Sequence, residues 1–397
     1  MRAGNPFLAL LFTCSALAAC GSNDRAPPSK GTSPQGTVDG GGGSKTPDFD
    51  FSAFDAAVES FLSSKGLAGA GGVVVHRDYG IVHEKGYGSF DANRVYLIAS
   101  ASKILSVGVV MRLIDQGKLD LGTPISTYLS DWGTYKTDIT LAEMLSNSSG
   151  MVGLIDNPLY APYICQYVSS GTLADCAKTI YTADDTKDLK PPNTEFHYGG
   201  GQWQLAGGIA EVASGKKWAD LFAETYADCG LTTSGYTNQY TLAYMAGGSV
   251  ASGLAYPAFF KADVANLPAT DNPSIEGGAF TTTHDYAQVL LMHLRGGLCD
   301  GGRVLSKNAV AGMQEDRIQE EYGGTTGDAT LAGYGLGWWI DRTNPGVFAD
   351  TGAYGAMPWL DLPRGYAAFL VLEADAGTGT DLRIATKPLL DQVFDAQ

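Results

Sequence analysis

One stretch of the chain, Ala101 to Gln116, carries apolar side chains on every side of the helix that its spacing predicts. The apolar members of this stretch are Ile104, Leu105, Val107, Val109, Val110, Leu113 and Ile114. Such a helix has no polar face for solvent and has to be enclosed by other elements. Gly117 follows it, at a position where glycine commonly ends a helix. The rest of the chain is therefore expected to form a large domain around this central helix.

Two residues that can carry chemistry, Ser100 and Lys103, stand at the start of this helix. A spacing of three places both side chains on one face, one turn apart. Burial disfavours the charged form of a lysine, and a neutral amine can accept the proton of a serine and activate it as a nucleophile. The same spacing recurs at Ser214 and Lys217, in a polar helix end, which we interpret as chance. On this motif alone, Ser100 could equally be a helix cap.

Composition excludes several classes of function. The 397 residues include 26 lysines and arginines against 42 aspartates and glutamates, a formal net charge of -16. This balance lacks the basic footprint of a nucleic-acid-binding protein and disfavours docking on anionic lipids. With 44% apolar residues the chain is typical of a soluble globular protein with a packed core.

The first 47 residues are predicted to address and tether the protein. Arg2, a short apolar run and Leu17-Ala18-Ala19-Cys20 resemble the lipobox of bacterial lipoproteins. The resemblance implies a signal peptide over residues 1–19, lipidation of Cys20 and a flexible tether over 20–47. The protein would then be anchored by lipid alone, at the outer membrane or on the periplasmic or extracellular face. An ordinary secretory signal with an incidental cysteine is the alternative, and it also implies export.

Four further cysteines, Cys165, Cys176, Cys229 and Cys299, are expected to form disulfides in such an oxidising compartment. Four cysteines allow three pairings. We favour Cys165 with Cys176, inside one loop-rich segment, and Cys229 with Cys299. No cysteine or histidine pair has the spacing of a zinc site, and neither a metal nor another cofactor is expected.

Periodicity and turn residues predict an α+β fold. The predicted helices are 52–65, 101–116, 206–214, 218–227, 284–295 after a cap at Thr283, 307–317 after a cap at Ser306, and 381–394. The predicted strands are a hairpin of 73–76 and 81–84, and then 334–341, 347–349 and 366–373. Strands at both ends with helices between them imply one sheet completed by distant segments, with an inserted helical lobe. The domain over 48–397 would have its sheet lobe at about 48–99 and 275–397 and its helical lobe at about 100–274.

Four motifs in order resemble the superfamily of class C β-lactamases and penicillin-binding proteins, which includes family VIII carboxylesterases and D-amino-acid peptidases. They are Tyr96 to Lys103, Ile139 to Met151, Pro192 to Gly200, and Gly277 to Thr282 with Asp285-Tyr286-Ala287. The likeness extends over residues 50–395. It implies an antiparallel sheet flanked by helices, as in the β-lactamase/transpeptidase fold.

The resemblance also implies roles for individual residues. Ser100 would be the nucleophile, Lys103 its partner, and Tyr198 the phenol that shares the proton and passes it to the leaving group. Either Lys103 or Tyr198 could take the first proton, since a tyrosine titrates near 10 unless neighbours favour its anion. The oxyanion hole would be formed by the backbone N–H groups of Ser100 and Ala353.

The departures from the family pattern concern substrate binding. Gly200 stands where the family has the asparagine of Tyr-x-Asn, and Asp350-Thr351-Gly352 stands where it has Lys-Thr-Gly or His-Thr-Gly. Gly355 and Trp359 offer alternative registers for this motif. An aspartate would repel the carboxylate of a β-lactam, because like charges in a closed site repel strongly. We therefore expect weak or no β-lactamase activity and a neutral or amine-bearing ester or amide substrate.

The expected function is an extracytoplasmic serine hydrolase that works through an acyl-enzyme on Ser100, with a carboxylesterase as first choice. The alternatives are a D-amino-acid carboxypeptidase or aminopeptidase acting on cell-wall peptides, or a β-lactamase. A non-catalytic penicillin-binding-protein-like sensor is the alternative of another class. No Gly-x-Ser-x-Gly elbow occurs in the chain, which disfavours an α/β-hydrolase.

Overall fold

The computed structural model describes residues 47–157, 159–245, 256–257, 260–323 and 328–396. Residues 47–397 belong to one compact unit, so the two predicted lobes are regions of one domain. The predicted signal peptide over 1–19, the lipidation of Cys20 and all but the last residue of the tether predicted over 20–47 lie outside the described residues. No helix in the described ranges is both long enough and apolar enough to span a bilayer.

Along the described ranges, strands cluster near both ends of the domain and a run of helices lies between them. The helices are α1 Ser52–Lys65, α2 Ser102–Asp115, α3 Leu141–Leu145, α4 Leu173–Tyr181, α5 Gly201–Ser214, α6 Trp218–Thr225, α7 Gln239–Met245, α8 Thr283–Leu294, α9 Lys307–Met313 and α10 Ala376–Asp395. The strands are β1 Gly69–His76, β2 Gly80–Gly88, β3 Tyr96–Leu97, β4 Gly235–Tyr236, β5 Ala279–Thr281, β6 Leu298–Cys299, β7 Gly302–Arg303, β8 Leu331–Tyr334, β9 Trp339–Asp341, β10 Val347–Ala349, β11 Ala356–Asp361 and β12 Tyr366–Val371.

The main sheet joins the two ends of the domain, as predicted. Seven strands of the described chain lie in the order β2-β1-β12-β11-β10-β9-β8, and their pairs are antiparallel. Strand β1 pairs with β12, so that Val73 lies opposite Phe369 although almost three hundred positions separate them in the chain. The fold class predicted from the sequence, a helix-flanked antiparallel sheet, is confirmed.

Alternation along the central strands supplies two separate hydrophobic cores. Val73 and Val75 of β1 point into the larger core with helices α2 and α8, while Val74 points into a second core with α1 and α10. Strand β12 alternates in the same way, with Phe369 in the larger core and Leu370 in the second. Because successive side chains of a strand point to opposite faces, a sheet covered on both faces needs apolar residues at every position.

The central helix α2 is buried along nearly its whole length, as its all-round apolar pattern predicted. Close packing reaches the backbone at Gly108, where an added Cβ would lie 2.0 Å from the hydroxyl oxygen of Tyr226. That hydroxyl donates to the carbonyl of Leu105 at 2.9 Å. The helix that positions Ser100 and Lys103 is therefore held rigidly inside the domain.

Several element boundaries differ from the prediction. The strand predicted over 334–341 is a hairpin of β8 and β9, because Gly337 at φ +78° turns the chain so that Tyr334 pairs with Trp339. The cap of α8 is Thr282, whose side chain accepts from Asp285 N, one residue before the predicted Thr283. Strand β11 and helix α4 were not predicted. The apolar stripe of α4 is confined to nine residues, which is short for a periodicity argument.

A small second sheet sets the geometry around Ser100. Its strands lie in the order β3-β5-β4, with Tyr96 opposite Thr281 and Leu97 opposite Phe280. Strand β3 ends three residues before Ser100, and β5 begins three residues after Glu276. The pairing therefore brings the segment around Glu276 against the start of α2.

Two disulfides have the pairing favoured from the sequence. Cys165 bonds to Cys176 with a Cα–Cα distance of 5.5 Å, and Cys229 bonds to Cys299 with a Cα–Cα distance of 4.9 Å. The first closes the turn before α4, and the second ties the end of α6 to β6.

Candidate active site

Ser100 and Lys103 lie within hydrogen-bonding distance of each other. The Nζ atom of Lys103 donates to Ser100 Oγ at 3.1 Å and to the carbonyl oxygen of Glu276 at 3.1 Å. The side chain of Lys103 is 1% exposed, whereas Ser100 is partly open to solvent. Burial lowers the pKa of Lys103, and the carboxylates of Glu276 and Asp350 oppose that shift. The pair can therefore transfer a proton from a reachable hydroxyl to a shielded amine.

The backbone just before Ser100 has a strained conformation at Ala99 and is packed closely against Gly352. Ala99 has a φ of +45°, a region that non-glycine residues rarely occupy and that is found most often at functional sites. Gly352 packs on the same turn, since a Cβ at Gly352 would lie 2.5 Å from the carbonyl oxygen of Ile98. Only a glycine allows this approach, which places the Asp350-Thr351-Gly352 register beside Ser100.

Tyr198 lies over the lysine, on the loop that leads into α5. The Nζ atom of Lys103 is 4.6 Å from the centroid of the Tyr198 ring, and Trp339 stacks on that ring at 5.8 Å. Among the described residues, the buried Tyr198 hydroxyl meets no partner at hydrogen-bonding geometry. Burial and then the charge of Asp350 raise the pKa of Tyr198, and the neighbouring Ser100 hydroxyl lowers it. The phenol therefore stands beside both Ser100 and Lys103.

Glu276, which the sequence analysis did not single out, completes the surroundings of Lys103. Its Oε2 atom lies 3.6 Å from Lys103 Nζ and accepts a hydrogen bond from the backbone N–H of Gly200 at 2.8 Å. Its Oε1 atom accepts from the hydroxyl of Tyr240 at 3.2 Å. A carboxylate thus lies against both the amine of Lys103 and the glycine that replaces the amide residue of the family pattern.

Asn147 secures the loop that carries Tyr198. Its Oδ1 atom accepts from Gly199 N at 3.0 Å and from Trp203 Nε1 at 2.8 Å, and its backbone carbonyl accepts from His197 N at 2.8 Å. Asn147 is fully buried and has a φ of +59°. Asn147 lies in the Ile139 to Met151 motif, but the sequence did not predict that it fixes this loop. Its side chain ties the loops before α5 together.

Asp350 is buried at the end of β10, next to the same group of residues. Its Oδ1 atom accepts from Thr351 N at 2.8 Å, and within the described ranges its Oδ2 atom has no hydrogen-bond partner. Burial raises the pKa of Asp350 to about 7, against the favourable charge of Lys103 and the hydrogen bond from Thr351. The Asp350 carboxyl, which was expected to be charged, is therefore partly protonated near neutral pH.

Replacing Asp350 with asparagine is expected to raise the melting temperature near neutral and alkaline pH. In wild type this carboxyl binds its proton more tightly folded than unfolded, so stability falls as pH rises from about 4 to about 7. Asparagine keeps the acceptor for Thr351 N and carries no charge. The gain in thermal scans is expected to be largest at about pH 8 and to vanish at about pH 4. A gain that is independent of pH contradicts this account.

The structure brings most of the predicted site residues together. Ser100, Lys103, Tyr198 and Gly200 surround one point, and Gly352 brings Asp350, Thr351 and Ala353 next to it. The second Ser-x-x-Lys match lies elsewhere: Ser214 Oγ donates to the carbonyl of Ala210 at 2.6 Å, and the 64% exposed Lys217 pairs with Asp271 at 2.8 Å. The signal for Glu276 in the sequence was a lone charge in the otherwise uncharged segment from Ile275 to Phe280.

The fold and the Ser-Lys pair define a serine hydrolase built on the β-lactamase/transpeptidase architecture. The family model described as Beta-lactamase matches residues 54–389. The chain therefore belongs to the beta-lactamase family, as the four sequence motifs indicated.

The sequence identity to individual proteins is low, but each similarity extends over most of this chain. "Penicillin-binding protein 4" of Amycolatopsis lactamdurans is 24% identical over 318 residues, which is 77% of this chain and 77% of that protein. "6-aminohexanoate-dimer hydrolase" of Paenarthrobacter ureafaciens is 24% identical over 302 residues, 68% of this chain and 63% of that protein. The solved structure of "EstCE1, a hydrolase with promiscuous acyltransferase activity" has a TM-score of 0.65 and 18% identity, covering 85% of this chain and 98% of that one.

Proposed function

We propose that this protein is a carboxylesterase that forms an acyl-enzyme on Ser100, with Lys103 and Tyr198 moving the proton. The observation that carries the proposal is the hydrogen bond of 3.1 Å between Lys103 Nζ and Ser100 Oγ, with the Tyr198 ring 4.6 Å from the same amine. A serine with an adjacent base that is oriented by a third group is the general arrangement of an activated nucleophile.

The proposed reaction has two halves, the acylation of Ser100 and the hydrolysis of the acyl-enzyme. The Ser100 oxygen attacks the ester carbonyl while its proton passes to neutral Lys103, because burial and Asp350 disfavour the anion of Tyr198. The N–H groups of Ser100 and Ala353 would stabilise the oxyanion. Tyr198 would give its phenolic proton to the departing alcohol and regain a proton from Lys103. Water then attacks the acyl-enzyme with the same groups, which releases the acid and restores the Ser100 hydroxyl.

Asp350 and Gly200 support a substrate without a carboxylate next to the scissile bond. Asp350 is completely buried beside Lys103 and Tyr198. It stands where the family pattern has a lysine or histidine, so this position provides no cation to bind an anionic substrate. A neutral ester, or one that bears an amine, fits this charge distribution better than a β-lactam. The relative named 6-aminohexanoate-dimer hydrolase keeps amide cleavage as the second candidate.

Covalent labelling tests the proposal directly. The purified protein is incubated with a fluorophosphonate and, separately, with a penicillin, and the adducts are located by mass spectrometry. We expect a fluorophosphonate adduct on Ser100 and no penicillin adduct. Adducts from both reagents favour a D-amino-acid peptidase, and the absence of both favours a non-catalytic sensor.

The export and lipid anchoring of the protein are part of the same proposal. The two disulfides support an oxidising compartment. The intact mass of protein purified from the producing cell tests this placement. A chain that begins at a diacylated Cys20 supports it, and a chain that retains Met1 contradicts it.

A further inference from the structure

We infer that Glu276 is a positioning residue of the active site. Its carboxylate takes the place of the side-chain amide that is absent at Gly200, and its charge controls the ionisation of Lys103. The inference rests on the proposed function and adds a fourth side chain to it. The family resemblance assigned no role to this position.

The contacts of Glu276 join two parts of the site. Its Oε2 atom is 3.6 Å from Lys103 Nζ and 2.8 Å from Gly200 N, two residues after Tyr198. Its backbone carbonyl accepts from Lys103 at 3.1 Å. One residue therefore holds the amine that faces Ser100 and the loop that carries the phenol. Its side chain is 4% exposed, so neither contact is weakened by solvent.

The backbone at Gly199 and Gly200 explains why a side chain from elsewhere takes this place. Gly200 has φ +84° and ψ −157°, and a Cβ there would lie 2.9 Å from Leu154 N. A Cβ at Gly199, at φ +73°, would lie 2.4 Å from Glu276 Oε2. The loop therefore excludes an asparagine at 200, and the carboxylate beside Lys103 comes instead from Glu276, in another segment of the chain.

The charges around Lys103 make Glu276 its nearest counter-charge. Asp350 also faces Lys103. The other titratable groups around these residues in the described ranges are the phenols of Tyr198, Tyr334, Tyr240 and Tyr167. Burial lowers the pKa of Lys103, and Glu276 is the largest influence that raises it. Removing this negative charge leaves the amine easier to deprotonate.

The test is the pH dependence of kcat/KM for a p-nitrophenyl ester in the full-length protein and in Glu276→Gln. Glutamine keeps an acceptor for Gly200 N and loses the charge. An opposite charge at this distance changes a pKa by roughly 1–3 units, so the limb that reports Lys103 is expected to move to lower pH by about that amount. The direction is the same whether activity requires the neutral amine or the ammonium group.

Tyr240→Phe is the matched control. It removes the hydrogen bond of 3.2 Å to the other oxygen of Glu276 and leaves both charges in place, so its profile is expected to stay at the wild-type position. Glu276→Ala is a second uncharged variant should glutamine not be tolerated, and circular dichroism verifies that each variant is folded.

Two results overturn the inference: a folded uncharged variant with lower activity but the wild-type profile, or an equal shift in Tyr240→Phe. The wild-type adduct on Ser100 separates this failure from that of the proposed function. If the fluorophosphonate labels Ser100 while the limb of the uncharged variant stays in place, only the role of Glu276 is wrong.

Discussion

Replacing Ser100 with alanine is expected to lower kcat/KM for a p-nitrophenyl ester by at least about 10³-fold, because removing the nucleophile eliminates the acyl-enzyme. Ser100 is partly exposed, and its hydroxyl accepts a hydrogen bond from Lys103 at 3.1 Å. Removing this hydroxyl is therefore expected to leave the packing of α2 intact. Initial rates at saturating and subsaturating ester, together with an unchanged melting temperature, measure the effect.

The chain provides its own control for this experiment. Ser214 belongs to the other Ser-x-x-Lys sequence, and its hydroxyl donates to helix carbonyls within α5 and accepts from the backbone N–H of Lys216. Ser214→Ala is expected to keep full activity. Wild-type turnover by Ser100→Ala, or an equal loss in Ser214→Ala, refutes the assignment of the nucleophile.

Replacing Lys103 with methionine is expected to lower kcat/KM by about 10²- to 10⁴-fold, the usual contribution of a positioned general acid or base. Methionine retains much of the volume beside the rings of Tyr198 and Trp203 but cannot exchange a proton with Ser100. It also leaves the buried Glu276 and Asp350 without their shared cation. A loss of stability that grows with pH should therefore accompany the loss of rate.

The comparison variant is Lys217→Met, which removes an exposed ion pair with Asp271. Exposed pairs contribute little to stability, and neither activity nor melting temperature should change measurably. The decisive comparison is the rate of fluorophosphonate labelling of Ser100. Labelling of Lys103→Met at the wild-type rate shows that the amine does not activate this serine.

Much of the site could be predicted because it lies in segments with strong local patterns. Spacing placed Ser100 and Lys103 on one face of an apolar helix. The resemblance of four ordered motifs to a known superfamily then selected Ser100, Lys103 and Tyr198 as the reactive groups. Apolar runs and turn residues also predicted strands β1, β2, β10 and β12 of the main sheet, but not β11. The single strand expected over 334–341 was wrong because Gly337 turns the chain, and nothing in the apolar pattern distinguishes one strand from a tight hairpin.

Glu276 could not be assigned in the same way. Its importance comes from a distance of 3.6 Å to Lys103, which lies 173 positions earlier in the chain. The register of Asp350-Thr351-Gly352 was likewise open until the approach of Gly352 to Ile98 placed it against the turn before Ser100.

Local patterns along the chain were enough for the fold class and the central helix, because periodicity and turn chemistry act over a few neighbouring positions. Ser100, Lys103 and Tyr198 were selected by the resemblance of four ordered motifs to a known superfamily. Folding alone placed a second carboxylate beside the lysine, held Asp350 partly neutral and excluded a side chain at Gly200. These properties depend on burial and on distances between segments far apart in the chain, and both exist only once the sheet has closed.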